Sequence, residues 1–483
     1  MRWKSIAGCS AVLLLALFKS TVQAAMPEAT SAWHSGTFHV DTARVMGRSD
    51  IVLGQPNSKA EQALPLGNGR LGVAVWADSG FTAQLNRSDT LPMRLSPGQA
   101  VILGLAALTR AKNYSGRLDL FNGEFRESGG GMSLRAYVTP NSDTFIVEVK
   151  GAKPEERQTA YLKLWAHRNP AASASHSVGV LAENWMDDKT SYASGLPFGT
   201  LAAITAEGRY VTAKVTDQRT IAVSFKPFAD GHFILRVAAP HFDGTTDAAT
   251  AAKEALASRV VSSHRGWWNA FWKHTALIKI MSRDGVGEYM ENLRNIDLFV
   301  TAAGRGEKYP GYHAGVADML QSTQDEQHWD PGVYWHWDMR PQIEANIGAG
   351  LSELNAPYFN LYRENMAQLT AWTSKHMGDR PGVCIPEAMR FNGNGYEGED
   401  PAESPQASCD QRSAPNDNAR TLSTDAEVSL LIWQQYLATG SDQFLADNYS
   451  VMASAARFLL AYSKRGTDGF AARTAVQCAR NAI

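Results

Sequence analysis

The chain of 483 residues carries 4 cysteines, no surplus of either charge, and no apolar run after its leader long enough to span a bilayer. Lys and Arg total 46 against 48 Asp and Glu, a formal net charge of −2. That balance supplies neither a basic nucleic-acid face nor an acidic tail, so no nucleic-acid partner is expected. No spacing of Cys and His resembles a zinc site, and no EF-hand-like ligand spacing appears, so neither metal nor cofactor is expected. No short internal repeat is apparent.

What the first residues do contain is a leader. Arg2 and Lys4 are followed by an apolar run from Ala11 to Phe18, too short for a membrane span, and by Val22-Gln23-Ala24 as a small-residue cleavage site. Cys9 precedes the apolar run, where a lipidated Cys would follow it. Residues 1–25 therefore read as a signal peptide, and the expected location is secreted or periplasmic, without membrane insertion after cleavage. Removing the leader leaves Cys384, Cys409 and Cys478. In an oxidising compartment Cys384 and Cys409 could bridge, with Cys478 left over.

The length suggests two domains of different character. From residue 30 to 243 the pattern is short β-strands punctuated by Gly, Asn, Asp and Pro: Leu71–Ala77, Phe81–Leu85, Met132–Val138, Thr144–Val149, Thr159–Ala166, Leu201–Ala206, Tyr210–Val215, Thr220–Phe225 and His232–Val237. No amphipathic helix interrupts them, which predicts an N-terminal antiparallel β-sandwich. Residues 244–284 read as one long linker helix, with Trp267, Trp268, Phe271 and Trp272 as its docking seam, then a strand-like Leu277–Ile280. Residues 285–483 are mainly helical, with helices expected at Gly287–Ala303, Gln342–Leu351, Ala356–His376, Thr421–Ala438 and Asp442–Ser463. Gly440 suits the position just past a helix.

Pro310 to Asn346 is the chemically richest stretch. It brings Tyr312, His313, Trp329, Tyr334, Trp335, His336 and Trp337 together with Asp330, Asp338, Arg340, Gln342 and Glu344. Its periodicity is poor and most of it reads as loop. Flat aromatic faces stack on sugars while carboxylates and Arg hold hydroxyl groups, so a carbohydrate cleft is the chemistry this mixture serves. A Trp-rich cover over a helix bundle is the plain alternative.

Leu64-Pro-Leu-Gly-Asn-Gly-Arg-Leu-Gly72, followed by Gln84-Leu-Asn-Arg-Ser-Asp-Thr90, resembles the opening of glycoside hydrolase family 95, the inverting α-L-fucosidase and α-L-galactosidase group of the six-hairpin glycosidase superfamily. Pro310–Gly315, Trp337–Pro357 with its Leu351-Ser-Glu-Leu, and Thr439–Leu445 continue the resemblance in the same order. It implies a sandwich, a linker helix and an (α/α)6 toroid, and an oligo- or polysaccharide substrate. Two Asn residues that position the attacking water in that family are Asp338 and Arg340 here, with Gln342 retained. The family's general acid, a Glu following the last helix, has no counterpart after Asp468. The tail therefore predicts a partial toroid, cut short or frame-shifted near Gly469.

Within the present residues the expected catalytic groups are Asp338 as base, held ionised by Arg340, Glu387 as acid, and Glu344 as a second base, with Asp330 third. His313, Trp335, His336, Trp337, Arg340 and Gln342 are expected to bind substrate. Glu353 is expected to brace a helix. The function this supports is acid/base, inverting hydrolysis of a terminal α-glycosidic bond in plant or host glycans. The alternatives are a non-catalytic carbohydrate-binding remnant and a toroid-type polysaccharide lyase using Tyr and His.

Overall fold

The computed structural model describes residues 33–78, 80–257, 264–311, 325, 330–396, 407–413, 421–465 and 471–472. Met1–Asp41 forms one unit, whose described part carries a two-stranded hairpin of Trp33–His34 and Thr37–Phe38. Thr42–Ile483 forms a second compact unit. The leader, His313, Tyr312, Trp329, Asp468, Gly469 and Cys478 lie outside the described residues.

The strand-rich part of the second unit is two large antiparallel sheets. One has seven strands, running in space from Arg209–Asp217 through Thr220–Lys226, Gln158–Lys163, Gly98–Ile102, Phe81–Arg87 and Leu71–Trp76 to Leu64–Gly67. The other has nine, from Ala171–Ser175 through Val178–Met186, Pro197–Glu207, Phe233–Ala238, Thr144–Lys150, Met132–Val138, Glu124–Gly129 and Ser115–Asp119 to Ile51–Leu53. Thr220–Lys226 buries every second residue, the signature of a strand with one face in a core. Side chains from both sheets share one apolar cluster, in which Phe81 stacks on Phe145 at 6.4 Å and Phe225 meets Phe233 at 5.0 Å. Each fully buried Phe of this kind is worth about 1.5–3 kcal/mol in transfer from water.

Two helices pack onto the nine-stranded sheet's surroundings. Ala248–Ala257 sets Ala252 against Val180, Ala182, Leu201, Ala203 and Phe242. His264–His274 buries Trp268 and Trp272, and the Trp272 indole N–H donates to the Leu120 carbonyl at 2.7 Å, so the docking-seam reading of these aromatics holds. The single linker helix expected here is described as these two helices, with residues 258–263 outside the described set. Leu277–Ile280, expected to be strand-like, forms no strand.

The glycine-rich motif at 64–72 serves architecture. A Cβ at Gly67 would sit 2.2 Å from the Ala303 carbonyl oxygen, so only glycine lets the strand approach the helix Val286–Gly304 this closely. Gly69 donates to the same carbonyl at 3.0 Å, and the Asn68 side chain closes the turn by accepting from Arg70 N and Leu71 N.

Helices follow at His336–Gly348, Ala356–Arg363, Met366–Met377, Ser423–Thr439 and Asp442–Tyr462. Two expectations change. The helix expected from Gln342 begins at His336, and the segment expected as one helix over Ala356–His376 breaks at Glu364–Asn365. Pro341 lies inside His336–Gly348, where its ring removes one helical donor and blurs the periodicity without ending the helix. Ser423–Thr439 and Asp442–Tyr462 turn at Gly440, whose φ of 62° is the left-handed cap expected there. No described helix is long and apolar enough to cross a membrane.

Candidate active site

A short two-stranded ribbon builds the site. Val333–Trp335 pairs with Ala388–Arg390, placing Trp335 opposite Ala388. Glu387, one residue before that strand, thus meets the first turn of the helix His336–Gly348. His336 N donates to the Glu387 carbonyl at 2.9 Å, and Trp337 N donates to Glu387 Oε1 at 2.6 Å. Trp335 gives this helix no side-chain cap, so Glu387 caps it from another segment and sits in the positive end of its dipole. The hydroxyl of Thr424, in the first turn of Ser423–Thr439, donates to Glu387 Oε2 at 2.6 Å. Both oxygens of this buried carboxylate are therefore fixed.

The segment leading to Glu387 is anchored on three sides. Cys384 and Cys409 form a buried disulfide, confirming that pairing. Asp425 accepts from Ile385 N at 2.9 Å, and its complete burial raises its pKa. Ser408 Oγ accepts from Ala388 N at 3.2 Å.

Asp338 follows Trp337 on the same first turn and remains exposed. Loss of water on its inner side, then the charge of Glu387, raise its pKa. The expectation that Arg340 keeps Asp338 ionised is corrected here. Arg340 donates to Glu427 and lays its guanidinium over the Trp337 ring, 4.3 Å from the centroid. Trp337 itself is 63% exposed, a flat face with a cation on it and open to solvent.

Glu427 was not marked by the sequence reading. His336 Nε2 reaches its Oε2 at 3.3 Å, and the hydrogen bond from His336, backed by that from Arg340, holds its pKa at about 2. His336 is buried, with Nδ1 3.0 Å from the Tyr358 hydroxyl, so it positions Glu427 and is out of a ligand's reach. Thr424 and Glu427 come from a helix some ninety residues away in sequence, where an acidic first turn was the sole signal.

The remaining candidates disperse. Trp335 is half-buried against Tyr396, with ring centroids 5.6 Å apart. Gln342 donates to Thr301 at 2.8 Å. Glu344 lies six residues past Asp338, on the order of 9 Å along the helix axis, and is not brought to the Glu387 group. Asp330 accepts from Gly332 N at 2.8 Å and lies beside Arg390. Glu353 sits in a short 3-10 turn, Ser352–Asn355, at the start of the next helix. Among the described residues no group of three His, Cys, Asp or Glu side chains could hold a metal ion. The arrangement sets Asp338 and Glu387 at one helix start, with Glu427 held by Arg340 and His336 and an exposed aromatic platform at Trp337.

No family model matches the chain, and no curated protein matches it. Among solved structures it is similar to a human-microbiome protein assigned as a kojibiose phosphorylase, at 11% identity and a TM-score of 0.56, over 90% of this chain and 59% of that one. It is more loosely similar to a bacterial glucoamylase complexed with acarbose, at 8% identity and a TM-score of 0.40, over 84% of this chain and 67% of that one. A family GH92 glycosyl hydrolase aligns at 12% identity and a TM-score of 0.42, over 89% of this chain and 57% of that one. The chain thus spans about three fifths of the phosphorylase it matches, and the likeness at 11% identity shows a shared fold: a large antiparallel β-sheet region followed by helices.

Proposed function

We propose that this chain is the β-sandwich and part of the (α/α) toroid of a secreted glycoside-cleaving enzyme, acting on neutral oligosaccharides by acid/base chemistry. The observation that carries the reading is the carboxylate pair Asp338 and Glu387 at one helix start, beside the exposed Trp337–Arg340 platform. Trp337 N and Thr424 fix the Glu387 carboxylate in place, and loss of water, then the nearby Glu387, raise the pKa of Asp338, which favours Asp338 as the group that protonates a departing glycosidic oxygen. This reverses the roles expected from sequence, where Asp338 was the base and Glu387 the acid. Trp337 supplies the ring on which a sugar face stacks, and Glu427 accepts its hydroxyls.

The fold shared with a protein assigned as a kojibiose phosphorylase supports cleavage of an α-glycosidic bond, by water or by phosphate. The buried Cys384–Cys409 disulfide suits an oxidising compartment and supports export. Incubating the protein with α-linked disaccharides, with and without inorganic phosphate, tests the reading. Release of free sugar or sugar phosphate supports it, and an unsaturated product indicates a lyase. A second reading, sugar binding without turnover, is favoured by one observation: both Glu387 oxygens are already occupied.

A further inference from the structure

We propose that a second sugar-binding cleft lies beyond the Trp335–Tyr396 ring pair, between the loop after the strand Val178–Met186 and the ribbon that builds the site, and that it takes a neutral oligosaccharide unit. It rests on the carbohydrate reading above and extends it to a longer substrate.

The cleft is a cavity of about 390 Å³, within the range of small-molecule sites. Its walls come from opposite parts of the molecule. Trp185 and Asp187 belong to the nine-stranded sheet and its following loop, whereas Asp330, Arg390 and Tyr396 belong to the ribbon and its flanks. The loop is locked in place. Asp187 Oδ2 accepts from both the backbone N–H and the hydroxyl of Ser194 at 2.8 Å, and Asn392 donates to the Tyr192 carbonyl at 2.8 Å.

Arg390 is the group that points to a ligand. It is only 8% exposed, yet its Nε lacks an acceptor. Its two ion pairs are long, 3.5 Å to Asp187 and 4.0 Å to Asp330. A buried guanidinium donor left unmade is costly, and native structures rarely leave one without a ligand or solvent to fill it. The fold tolerates the site loosely paired, as a binding group waiting for an acceptor oxygen would be.

The ligand class follows from the charges and rings. Asp187, Asp188 and Asp330 face Arg390 and Lys189 around the cavity, three acidic side chains against two basic ones. An anionic sugar gains nothing there. A neutral sugar can donate hydroxyls to the carboxylates, accept from Arg390, and lay an apolar face on Trp185 or Tyr396. Tyr396 in the cleft wall also meets Trp335, the residue that precedes the helix carrying Trp337 and Asp338.

The test uses the full chain, with neutral gluco-oligosaccharides (kojibiose, maltotriose) and galacturonate trimers as probes in titration calorimetry. The expected result is binding of a neutral probe, at least tenfold tighter than of the galacturonate trimer. Arg390→Gln should weaken the neutral probe at least tenfold. Asp188→Lys, on an exposed side chain, should raise galacturonate affinity severalfold with an unchanged melting temperature, and it decides the matter if Arg390→Gln does not fold. No binding of either neutral probe, a wild-type preference for galacturonate, or a folded Arg390→Gln variant binding like wild type overturns the proposal. Arg390-dependent binding with no cleavage of any α-glycoside leaves the cleft standing and removes the enzyme reading. Cleavage whose KM for oligosaccharide is the same in Arg390→Gln removes the cleft alone.

Discussion

Glu387 takes the backbone N–H of Trp337 at 2.6 Å and thereby caps the helix that carries Asp338 one residue later. A buried, fixed carboxylate thus stands next to an exposed one, and after loss of water it is the second cause of the raised Asp338 pKa. Glu387→Gln removes that charge while keeping the shape. The Asp338 pKa should fall, and if Asp338 acts as the acid, the alkaline limb of the kcat–pH profile moves to lower pH. A profile unchanged in Glu387→Gln contradicts this coupling.

Trp337→Ala should weaken sugar binding roughly tenfold, about 1.4 kcal/mol, through loss of the stacked platform. At 63% exposure the ring contributes little to the core, so the melting temperature should hardly move. Calorimetric binding and a thermal melt on the same variant read the two quantities separately.

Glu427 links the site to acid stability. Its folded pKa of about 2 lies below its ordinary value of 4.5, so the paired carboxylate stabilises the fold at pH above about 4.5. That stabilisation is lost as pH falls from about 4.5 toward 2. After allowance for partial exposure it is on the order of 2 kcal/mol. The difference in unfolding free energy between wild type and Glu427→Gln should therefore shrink over that window, as measured by denaturant titrations at stepped pH.

The disulfide anchors the Glu387 segment by closing a loop with a separation of 25 residues. Loop-closure entropy makes it worth about 3 kcal/mol, and both sulfurs are buried, so a reductant reaches them only after local opening. Cys384→Ser with Cys409→Ser should lower the melting temperature and loosen the segment around Glu387, seen as faster amide exchange at Trp337.

Gly123→Ala tests the helix docking. Gly123 has a φ of 63°, and an added Cβ would meet the Trp268 indole at 2.0 Å. The strain and the displaced tryptophan should together cost about 3 kcal/mol. A melt within a degree of wild type would show that Trp268 moves freely, against its burial.

The strands were legible where one face is apolar and the residues alternate: Met132–Val138 has the bounds expected from sequence, and Thr220–Lys226 differs by one residue. Glu124–Gly129 and Ser115–Asp119 were not, because their charged residues Arg117, Glu124 and Arg126 pair with Asp50, Arg265 and Asp119, partners that sequence does not reveal. The stretch around Trp337 was singled out by composition and by its resemblance to a known family, but the part of its helix before Pro341 was not expected. Glu387 was found within a loop-like segment, whereas its relation to Trp337 depends on strand pairing. Glu427 was missed because its partners, His336 and Arg340, are 91 and 87 residues distant.

The central claim is tested most directly by product analysis of wild type and Asp338→Asn on α-linked disaccharides such as kojibiose, with and without inorganic phosphate. The account predicts sugar or sugar phosphate from wild type and at least a hundredfold less from a folded Asp338→Asn variant, the scale of a lost general acid. Equal release by the two proteins, or an unsaturated product from either, would contradict it.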